Sequence, residues 1–165
     1  MINKNNTCFF SGHRNLPENK IGMIESLLDE KVLEKYNSGI TCFIAGGALG
    51  FDMLAAESVI RLKDYYGLNE KMKLLIYLPC REYDKYWSAD DRERFCNIKL
   101  YADRLIVITN NSYRNGCMSL RNKKMVDNSS CGIVYKSQRR SGTGQTVAMA
   151  EKQGLDVINI YDLIN

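Results

Sequence analysis

The sequence predicts an α/β fold in one domain, with a doubly wound, mainly parallel sheet and helices on both faces. Strand-like and helix-like segments alternate from one end of the chain to the other. The strand-like runs are continuously apolar at their centres, as expected where helices cover both faces of a sheet. This alternation favours parallel strands joined by right-handed crossovers. The 165 residues, 45% of them apolar, suit one domain spanning 1–165.

Six short apolar runs predict the strands. They share a length of six to nine residues and a polar or glycine-rich segment on the carboxyl side. In chain order they are TCFFSG (7–12), GITCFIAGG (39–47), KLLIYLP (73–79), DRLIVIT (103–109), CGIVYK (131–136) and DVINIY (156–161).

Five segments with helical spacing lie between these runs, at 18–39, 51–67, 88–102, 115–130 and 143–154. The first carries Ile21, Ile24, Leu28 and Val32 on one stripe and ends at Gly39, a favourable C-cap residue. The third begins at Ser88, a good N-cap, followed by acidic residues in the first turn.

Composition excludes several classes of protein. No apolar run approaches the roughly 18 residues of a membrane span, and the N-terminus lacks a signal-peptide pattern. The six cysteines form no C-x-x-C pair, which favours a reduced, cytoplasmic protein. A single histidine makes a structural metal site unexpected. A net charge of +4 suits an anionic ligand but is small for a protein that wraps nucleic acid.

The loops that follow the strands are the expected binding region. In a parallel doubly wound sheet these loops share one edge, and ligands bind there. The loops are 11–17, 45–52, 79–88, 109–120 and 136–146.

The second of these loops contains Gly46, Gly47 and Gly50 before a predicted helix. Glycines there expose backbone N–H groups at a helix N-terminus, where a phosphate can approach. The alternative is a tight strand-to-helix connection with no ligand. Asp52 either stabilises the first turn of the helix or accepts a hydrogen bond from a ribose hydroxyl.

The fifth loop has the composition that best suits a phosphate. Ser141, Gly142, Thr143 and Gly144 lead into a helix, directly after two arginines at 139 and 140. Hydroxyls, free N–H groups and guanidinium forks all bind phosphate. The alternative is a serine or threonine N-cap on a flexible turn, with both arginines solvated.

The remaining loops add candidate contacts. His13 lies beside Arg14 directly after a strand, so it either contacts a ligand or packs against the protein. Arg81 lies close to three aromatic residues that either stack on a base or form a protein contact: Tyr83, Tyr86 and Trp87. The fourth loop and the helix after it offer Tyr113, Met118, Arg121 and Asn122, of which Arg121 and Asn122 can reach back to the same edge.

Four motifs together resemble a known family. They are SGHR at 11–14, AGGALGFDMLAAE at 45–57, M-x-x-R-N-x-x-M-V-D at 118–127 and SGTGQTVAMAEKQGLDVINI at 141–160. In this order, over nearly the whole chain, they resemble the YpsA-like branch of the SLOG superfamily. That superfamily includes the Rossmann-like domain of DprA and the LOG-type phosphoribohydrolases. The resemblance implies a Rossmann-like fold and a nucleotide or ADP-ribose-like ligand, and it implies neither an established reaction nor a metal.

Carried onto this chain, the resemblance implies a set of ligand contacts that are mostly loop residues. They are Ser11, Gly12, His13, Arg14, Gly46, Gly47, Gly50, Asp52, Ser141, Gly142, Thr143 and Thr146, to which the loop composition adds Arg81 and Arg121. Relatives of this type often pair, which makes a homo-oligomer an expectation.

One departure bears on catalysis. LOG-type hydrolases carry G-G-x-G-T-x-x-E, whereas this chain reads SGTGQTV at 141–147 and has no glutamate at the matching place. Asp52 and Glu57 are the remaining candidates for a catalytic carboxylate. The sequence therefore favours a cytoplasmic binding protein that senses or sequesters a nucleotide-derived molecule. The alternatives are an N-glycosidic hydrolase and, less favoured, a DprA-like protein that binds single-stranded nucleic acid.

Overall fold

The computed structural model describes residues 2–110 and 112–165, and its centre is a six-stranded sheet. Every neighbouring pair of strands is parallel. The strand order is β4-β3-β2-β1-β5-β6. The strands are β1 (Thr7–Gly12), β2 (Cys42–Ala45), β3 (Lys73–Leu78), β4 (Arg104–Val107), β5 (Cys131–Tyr135) and β6 (Asp156–Asn159).

Helices cover both faces of the sheet, which confirms the predicted fold class. The helices are α1 (Ile21–Asn37), α2 (Phe51–Tyr65), α3 (Ala89–Tyr101), α4 (Cys117–Asp127), α5 (Gly142–Lys152) and α6 (Ile160–Ile164). Two short 3-10 helices, Lys4–Asn6 and Glu18–Lys20, precede β1 and α1. On one face α2 contacts α1 and α3, and α1 also contacts α6, whereas α4 and α5 pack together on the other face.

Each face has its own apolar core. The stripe predicted for α1 is buried at Ile24, Leu28 and Val32, which pack in the same cluster as Phe10 and Phe43 of the sheet. Under α4 and α5 the cluster is smaller and is built from Phe9, Ile44, Tyr77, Met125, Val134 and Val147, among others. Burial on both faces explains why the strands read as continuous apolar runs.

Several predicted strands are shorter in the structure, and two of them show why. The run at 39–47 contributes only Cys42–Ala45, since the chain turns before it and leaves the sheet at the glycines after it. The run at 156–161 ends at Asn159, whose side chain accepts a hydrogen bond from the Tyr161 N–H and caps α6. The polar cap ends the strand although the apolar residues continue.

The strand order reverses next to β1, and this reversal opens a crevice at one edge of the sheet. From β1 the chain continues outward through β2, β3 and β4, and then returns to place β5 on the other side of β1. A crevice therefore opens between the loops that follow β1 and β5. Among the described residues, none of the helices combines the length and the apolar character needed to cross a bilayer.

Candidate functional site

A cleft of about 340 Å³ lies at this reversal point. Its walls come from the end of β1 and the loop after it, from the loop after β2 and the start of α2, from α4 and from the start of α5. The lining residues are Ser11, Gly12, His13, Arg14, Ala48, Asp52, Met118, Arg121, Asn122, Gly142 and Thr143. A larger hollow of about 520 Å³ lies at the opposite edge of the sheet, beside Cys42, Lys73 and Asp103. The cleft is the stronger candidate because the sheet topology and the predicted ligand contacts converge on it.

His13 joins the loops that follow β1 and β5. Its backbone N–H donates to the Tyr135 carbonyl (3.3 Å), and its Nε2 accepts from the Ser137 N–H (2.9 Å). Burial lowers the pKa of His13, which favours the neutral ring that this acceptor role requires. His13 therefore has a packing role and also lines the cleft.

The N-terminus of α5 opens into the cleft. Ser141 caps the helix, since its Oγ accepts from the Gly144 N–H (2.9 Å). The amides of Gly142 and Thr143, in the first turn, have no acceptor within the helix and lie at the cleft wall. Thr146 is fully buried and donates its hydroxyl to the Gly142 carbonyl (2.9 Å), so the structure does not bring it to the cleft.

Asp52 is the most unusual side chain of the site. It is only 4% exposed, and its Oδ2 accepts a long hydrogen bond from the Ala48 N–H (3.4 Å). Its Oδ1 has no hydrogen-bond partner within the described part of the chain. Burial raises the pKa of Asp52 to about 6, although the nearby Arg121 opposes this shift. Asp52 also lines the cleft, and a buried carboxylate that lacks a donor is a candidate partner for a ligand hydroxyl or amine.

Arg121, predicted as a ligand contact, uses most of its N–H donors in hydrogen bonds to the protein. It is 3% exposed, and its Nη1 donates to the carbonyls of Gly46 and Tyr77. Its Nε donates to Asn122 Oδ1 (2.7 Å). Arg121 thus ties the ends of β2 and β3 to α4 and supplies a buried positive charge to the cleft wall.

The glycines before α2 contact protein rather than open space. A Cβ on Gly50 would lie 2.2 Å from the Arg14 carbonyl oxygen, and one on Gly47 would lie 2.9 Å from Phe95 Cζ. Both glycines have positive φ, 81° and 68°. A Cβ on Gly46 would lie 2.6 Å from Arg121 Nη1. Close packing requires all three glycines, and none of them lines the cleft. The geometry therefore favours a tight strand-to-helix connection over a phosphate-binding loop.

The start of α2 is also closed to a ligand. The Phe51 N–H donates to the His13 carbonyl (3.2 Å), so the loop after β1 covers the N-terminus of this helix. Of the two glycine-containing loops, only the one before α5 presents free amides to the cleft.

Two further candidates lie away from the cleft. Glu57 forms a two-pronged ion pair with Arg94 (3.1 and 2.5 Å) in a separate groove beside α2 and α3. Arg81 is exposed in the turn after β3 and is absent from the residues that line the cleft. The structure therefore does not assemble Glu57 with Asp52, and it leaves Arg81 outside the site.

The aromatic residues of the same turn do not form a platform for a base in the cleft. Tyr83 donates its hydroxyl to the Gly47 carbonyl and packs against Trp87 and Phe95. Tyr86 is 89% exposed and lies beside Lys85. Two of the three rings thus belong to the packing around α3.

The anchoring role of Arg121 was not foreseen from the sequence, although a signal for it exists. Cys117, Arg121 and Met125 follow one another at intervals of four residues, and all three are buried on the inner face of α4. An arginine on such a stripe must find acceptors inside the protein, and here they are the strand-end carbonyls.

Comparison with known proteins identifies the family and the fold. A model described as the YspA SLOG family (YpsA) matches residues 9–163. A UPF0398 protein of Ligilactobacillus salivarius (strain UCC118) is 25% identical over 154 residues, which are 92% of this chain and 82% of that protein.

Two solved structures share the fold. DNA processing protein A from Helicobacter pylori, described for its single-stranded DNA binding mode, gives a TM-score of 0.63 at 17% identity over 92% of this chain. DNA processing protein A (DprA) from Streptococcus pneumoniae gives 0.64 at 18% identity over 93% of this chain. This chain spans only 63% and 52% of those two chains. On the family match, which covers nearly the whole chain, the protein belongs to the YpsA family of the SLOG superfamily.

Proposed function

We propose that this protein binds a nucleotide or a nucleotide-derived small molecule in the cleft and acts by sensing or sequestering it. One observation carries the proposal. Asp52, whose buried Oδ1 has no donor among the described residues, lines the same cleft as the open N-terminus of a helix. A ligand that presents both a hydroxyl donor and an anionic group satisfies both features.

The N-terminus of α5 is the expected position of the phosphate. The amides of Gly142 and Thr143 point along the positive end of the helix dipole. Arg14, whose exposed side chain also lines the cleft, adds a guanidinium that can pair with phosphate oxygens.

Asp52 is the expected contact of a sugar hydroxyl. With a pKa of about 6 it is mostly ionised at neutral pH, and an ionised carboxylate only accepts hydrogen bonds. A neutral hydroxyl on the ligand supplies the missing donor. Another phosphate would be repelled there, which orients the ligand with its phosphate toward α5.

The comparisons support the chemical class. The YpsA family belongs to a superfamily that the resemblance associates with nucleotide-like ligands, and one structural neighbour is described as binding single-stranded DNA. The second neighbour is also a DNA processing protein. Binding of a nucleic acid at the cleft is therefore the alternative that the experiment must separate.

Thermal unfolding in the presence of nucleotides tests the proposal. The panel contains AMP, NAD, ADP-ribose, cyclic dinucleotides and a single-stranded oligodeoxynucleotide. A ligand at 100 times its Kd adds about 2.7 kcal/mol of stability. For a chain of this size that corresponds to a rise in Tm of roughly 5–10 °C.

Asp52→Asn should remove most of this rise, because an amide presents a donor where the ligand needs an acceptor. Asp64→Asn is the matched control, since Asp64 is exposed on the same helix and the charge change is identical. If no small nucleotide raises the Tm of the wild-type protein, the proposal is wrong. A rise with the oligodeoxynucleotide alone supports the nucleic-acid alternative.

Hydrolysis of an N-glycosidic bond is a second candidate, and Asp52 is the observation that favours it. Asp52 is the one carboxylate among the described residues of the cleft, and burial raises its pKa. Such a group can stabilise an oxocarbenium-like centre or activate water. Chromatographic detection of free base tests this candidate. Release should disappear in Asp52→Asn and persist in Glu57→Gln, because Glu57 pairs with Arg94 outside the cleft.

A further inference from the structure

Strand β4 is an open edge of the sheet. Within the described chain it pairs with β3 alone. The Asp103 N–H donates to the Leu74 carbonyl (2.9 Å), so the backbone of Asp103 faces β3. Because the direction of the backbone groups alternates along a strand, those of Arg104 and Ile106 face away from the sheet. Such a row of donors and acceptors can pair with a further extended strand.

The side chains around this edge are apolar and exposed. Ile106 packs with the core under α4, so Leu105 and Val107, which alternate with it, lie on the other face of the sheet. Leu105 is 46% exposed, and Val107 is exposed as well. Leu100, near the end of α3, is a third exposed apolar side chain in this part of the molecule. Apolar side chains of this kind along an open edge indicate an interaction surface.

The face of the sheet that carries α4 is also incompletely covered beside β4. The hollow of about 520 Å³ is lined by residues of three neighbouring strands, namely Cys42, Leu75 and Arg104. Leu120 of α4 is exposed. It lies two residues from Asn122, which lines the cleft, and so on nearly the opposite side of the helix. This flank therefore presents both a hollow and an exposed apolar side chain.

Strand β4 is complementary to a second copy of itself. In an antiparallel pairing centred on Ile106, Leu105 of each copy lies opposite Val107 of the other, so that apolar side chains meet. Arg104 lies opposite Ile108, and the two arginines are therefore not opposite one another. The backbone groups of Ile106, which face away from β3, pair with those of Ile106 in the second copy.

The hollow and Leu120 come to the same end of this contact. A two-fold axis perpendicular to the sheet keeps α4 of both copies on one face. Antiparallel pairing sets the carboxyl end of one β4 beside the amino end of the other. Leu120 lies in the first turn of α4, at the carboxyl end of the sheet, whereas the hollow lies beside Arg104, at the amino end.

We infer that this protein forms a two-fold symmetric dimer in which the β4 edges pair and join the two sheets into one. The other edge fits such a contact less well. Strand β6 begins at Asp156, whose exposed carboxylate pairs with Lys35 (3.0 Å), and among the described residues no large exposed apolar side chain lies on β6. A contact of β4 with β6 would be head-to-tail and build open filaments, whereas β4 with β4 closes as a dimer.

Sedimentation velocity over a concentration series tests the dimer. The wild-type protein should reach twice the mass of one chain. Leu105→Glu should raise the dissociation constant of the dimer about 100-fold, because each copy then brings a carboxylate into an apolar contact. Leu163→Glu is the matched control, since Leu163 is 50% exposed on α6 and undergoes the same change. Its dissociation constant should equal that of the wild-type protein.

Amide hydrogen exchange measured by NMR identifies the surface. The amides of Arg104 and Ile106 should exchange slowly in the dimer and rapidly in the monomer, because only the second copy provides their acceptors. Ile106→Pro removes one of these two N–H groups and leaves the hydrogen bonds to β3 in place. It should weaken the dimer with a circular dichroism spectrum like that of the wild-type protein, and it serves as the test if Leu105→Glu does not fold.

Three results would overturn the inference. The first is a wild-type protein that stays monomeric over the whole series, which leaves the β4 edge to a different partner. The second is a dimer in which the amides of Arg104 and Ile106 exchange rapidly, which places the contact on another surface. The third is a dissociation constant that neither Leu105→Glu nor Ile106→Pro changes. Nucleotide binding is a separate question, since the cleft lies beside β1 and β5.

Discussion

At the scale of single residues, the protein buries a carboxylate, that of Asp52, where its charged form lowers the stability of the fold. Asp52 is buried beside a cleft, and only one of its oxygens has a protein donor within the described residues. Burial of an ionised carboxylate without full hydrogen bonding is unfavourable, and the raised pKa is the sign of that cost. Arg121 offsets the cost in part. Such a compromise is expected of a residue whose partner is a ligand.

Asp52→Asn should make the ligand-free protein more stable, and the gain should depend on pH. The folded-state pKa of about 6 lies above the ordinary value of 3.8. The stabilising effect of protonated Asp52 is therefore full below about pH 4 and is lost as the pH rises toward 6. We expect the variant to gain about 3 kcal/mol in unfolding free energy above pH 7 and about 1 kcal/mol near pH 4.5.

Urea denaturation at both pH values measures this difference. A gain that is the same at the two pH values would show that Asp52 is not the titrating group. A loss of stability at neutral pH would show that the electrostatic attraction between Asp52 and Arg121 outweighs the cost of burying Asp52. Asp64→Asn, an exposed change on the same helix, should show neither effect.

At the scale of elements, two helices begin with the same kind of N-cap, a serine, but differ in their position relative to the cleft. Ser88 Oγ accepts from the Asp91 N–H (3.1 Å) at the start of α3, and Ser141 Oγ accepts from the Gly144 N–H (2.9 Å) at the start of α5. Only the second helix opens into the cleft. Comparing substitutions of these two serines therefore separates the contribution of a helix cap to stability from its contribution to ligand binding.

Ser88→Ala and Ser141→Ala should each lower the unfolding free energy by about 1 kcal/mol, because each removes one N-cap hydrogen bond. Only Ser141→Ala should weaken nucleotide binding, since it loosens the turn that presents the amides of Gly142 and Thr143. Chemical denaturation and titration calorimetry on both variants provide the check. Equal binding losses in the two variants would exclude a local role for Ser141.

Two glycines on the loops after β2 and β5 should respond in opposite ways to substitution. Gly47 has a φ of 68°, and a Cβ there would meet Phe95, so Gly47→Val should lower the unfolding free energy by about 2–4 kcal/mol. A Cβ on Gly142 would meet no atom within 4 Å, so Gly142→Ala should leave the fold intact.

For nucleotide binding, we expect the direct effect from the substitution of Gly142 and not from that of Gly47. Gly142→Ala should weaken nucleotide binding, because its methyl group enters the cleft beside the phosphate position. The sequence alone made Gly47 a candidate ligand contact, whereas in the structure this glycine packs against Phe95 of α3. Thermal melts and titrations of the two variants test this assignment, which a stable Gly47→Val protein would contradict.

At the scale of the whole molecule, Arg121 connects parts that are distant in sequence. It joins the end of β2, the end of β3 and α4 through carbonyl and amide oxygens. These contacts fix the wall of the cleft relative to the sheet, so the fold and the site depend on the same side chain.

Arg121→Met should therefore lower the unfolding free energy by about 3 kcal/mol, since it leaves buried carbonyls unpaired and Asp52 without its compensating charge. It should also raise the pKa of Asp52 further, because Arg121 is the largest influence that lowers it. Arg139→Met, a matched change at an exposed arginine, should stay within about 0.5 kcal/mol of the wild-type protein. Urea denaturation measures both, and equal effects would contradict the anchoring role of Arg121.

Much of the fold could be predicted from the sequence because its signals are local. Apolar runs and helical stripes such as Ile24, Leu28 and Val32 depend on spacing along a few turns of chain. The convergence of the loops after β1 and β5 also follows from the alternation, through the general behaviour of parallel sheets. For this reason Ser11, Gly12, His13, Arg14, Asp52, Arg121, Gly142 and Thr143 were predicted together and lie together in the cleft.

What only the tertiary structure decided is the partner of each polar group. Glu57, Arg81 and Thr146 have suitable chemistry in the sequence, but Glu57 pairs with Arg94, Arg81 is exposed and Thr146 bonds to its own helix. The sequence by itself determined the parallel α/β architecture and the edge of the sheet at which the cleft lies. The structure decided that the glycines before α2 pack against protein, whereas Gly142 at the start of α5 has open space around it. The reason is physical: periodicity is a property of neighbouring residues, whereas burial and hydrogen bonding depend on residues that the fold brings together from a distance.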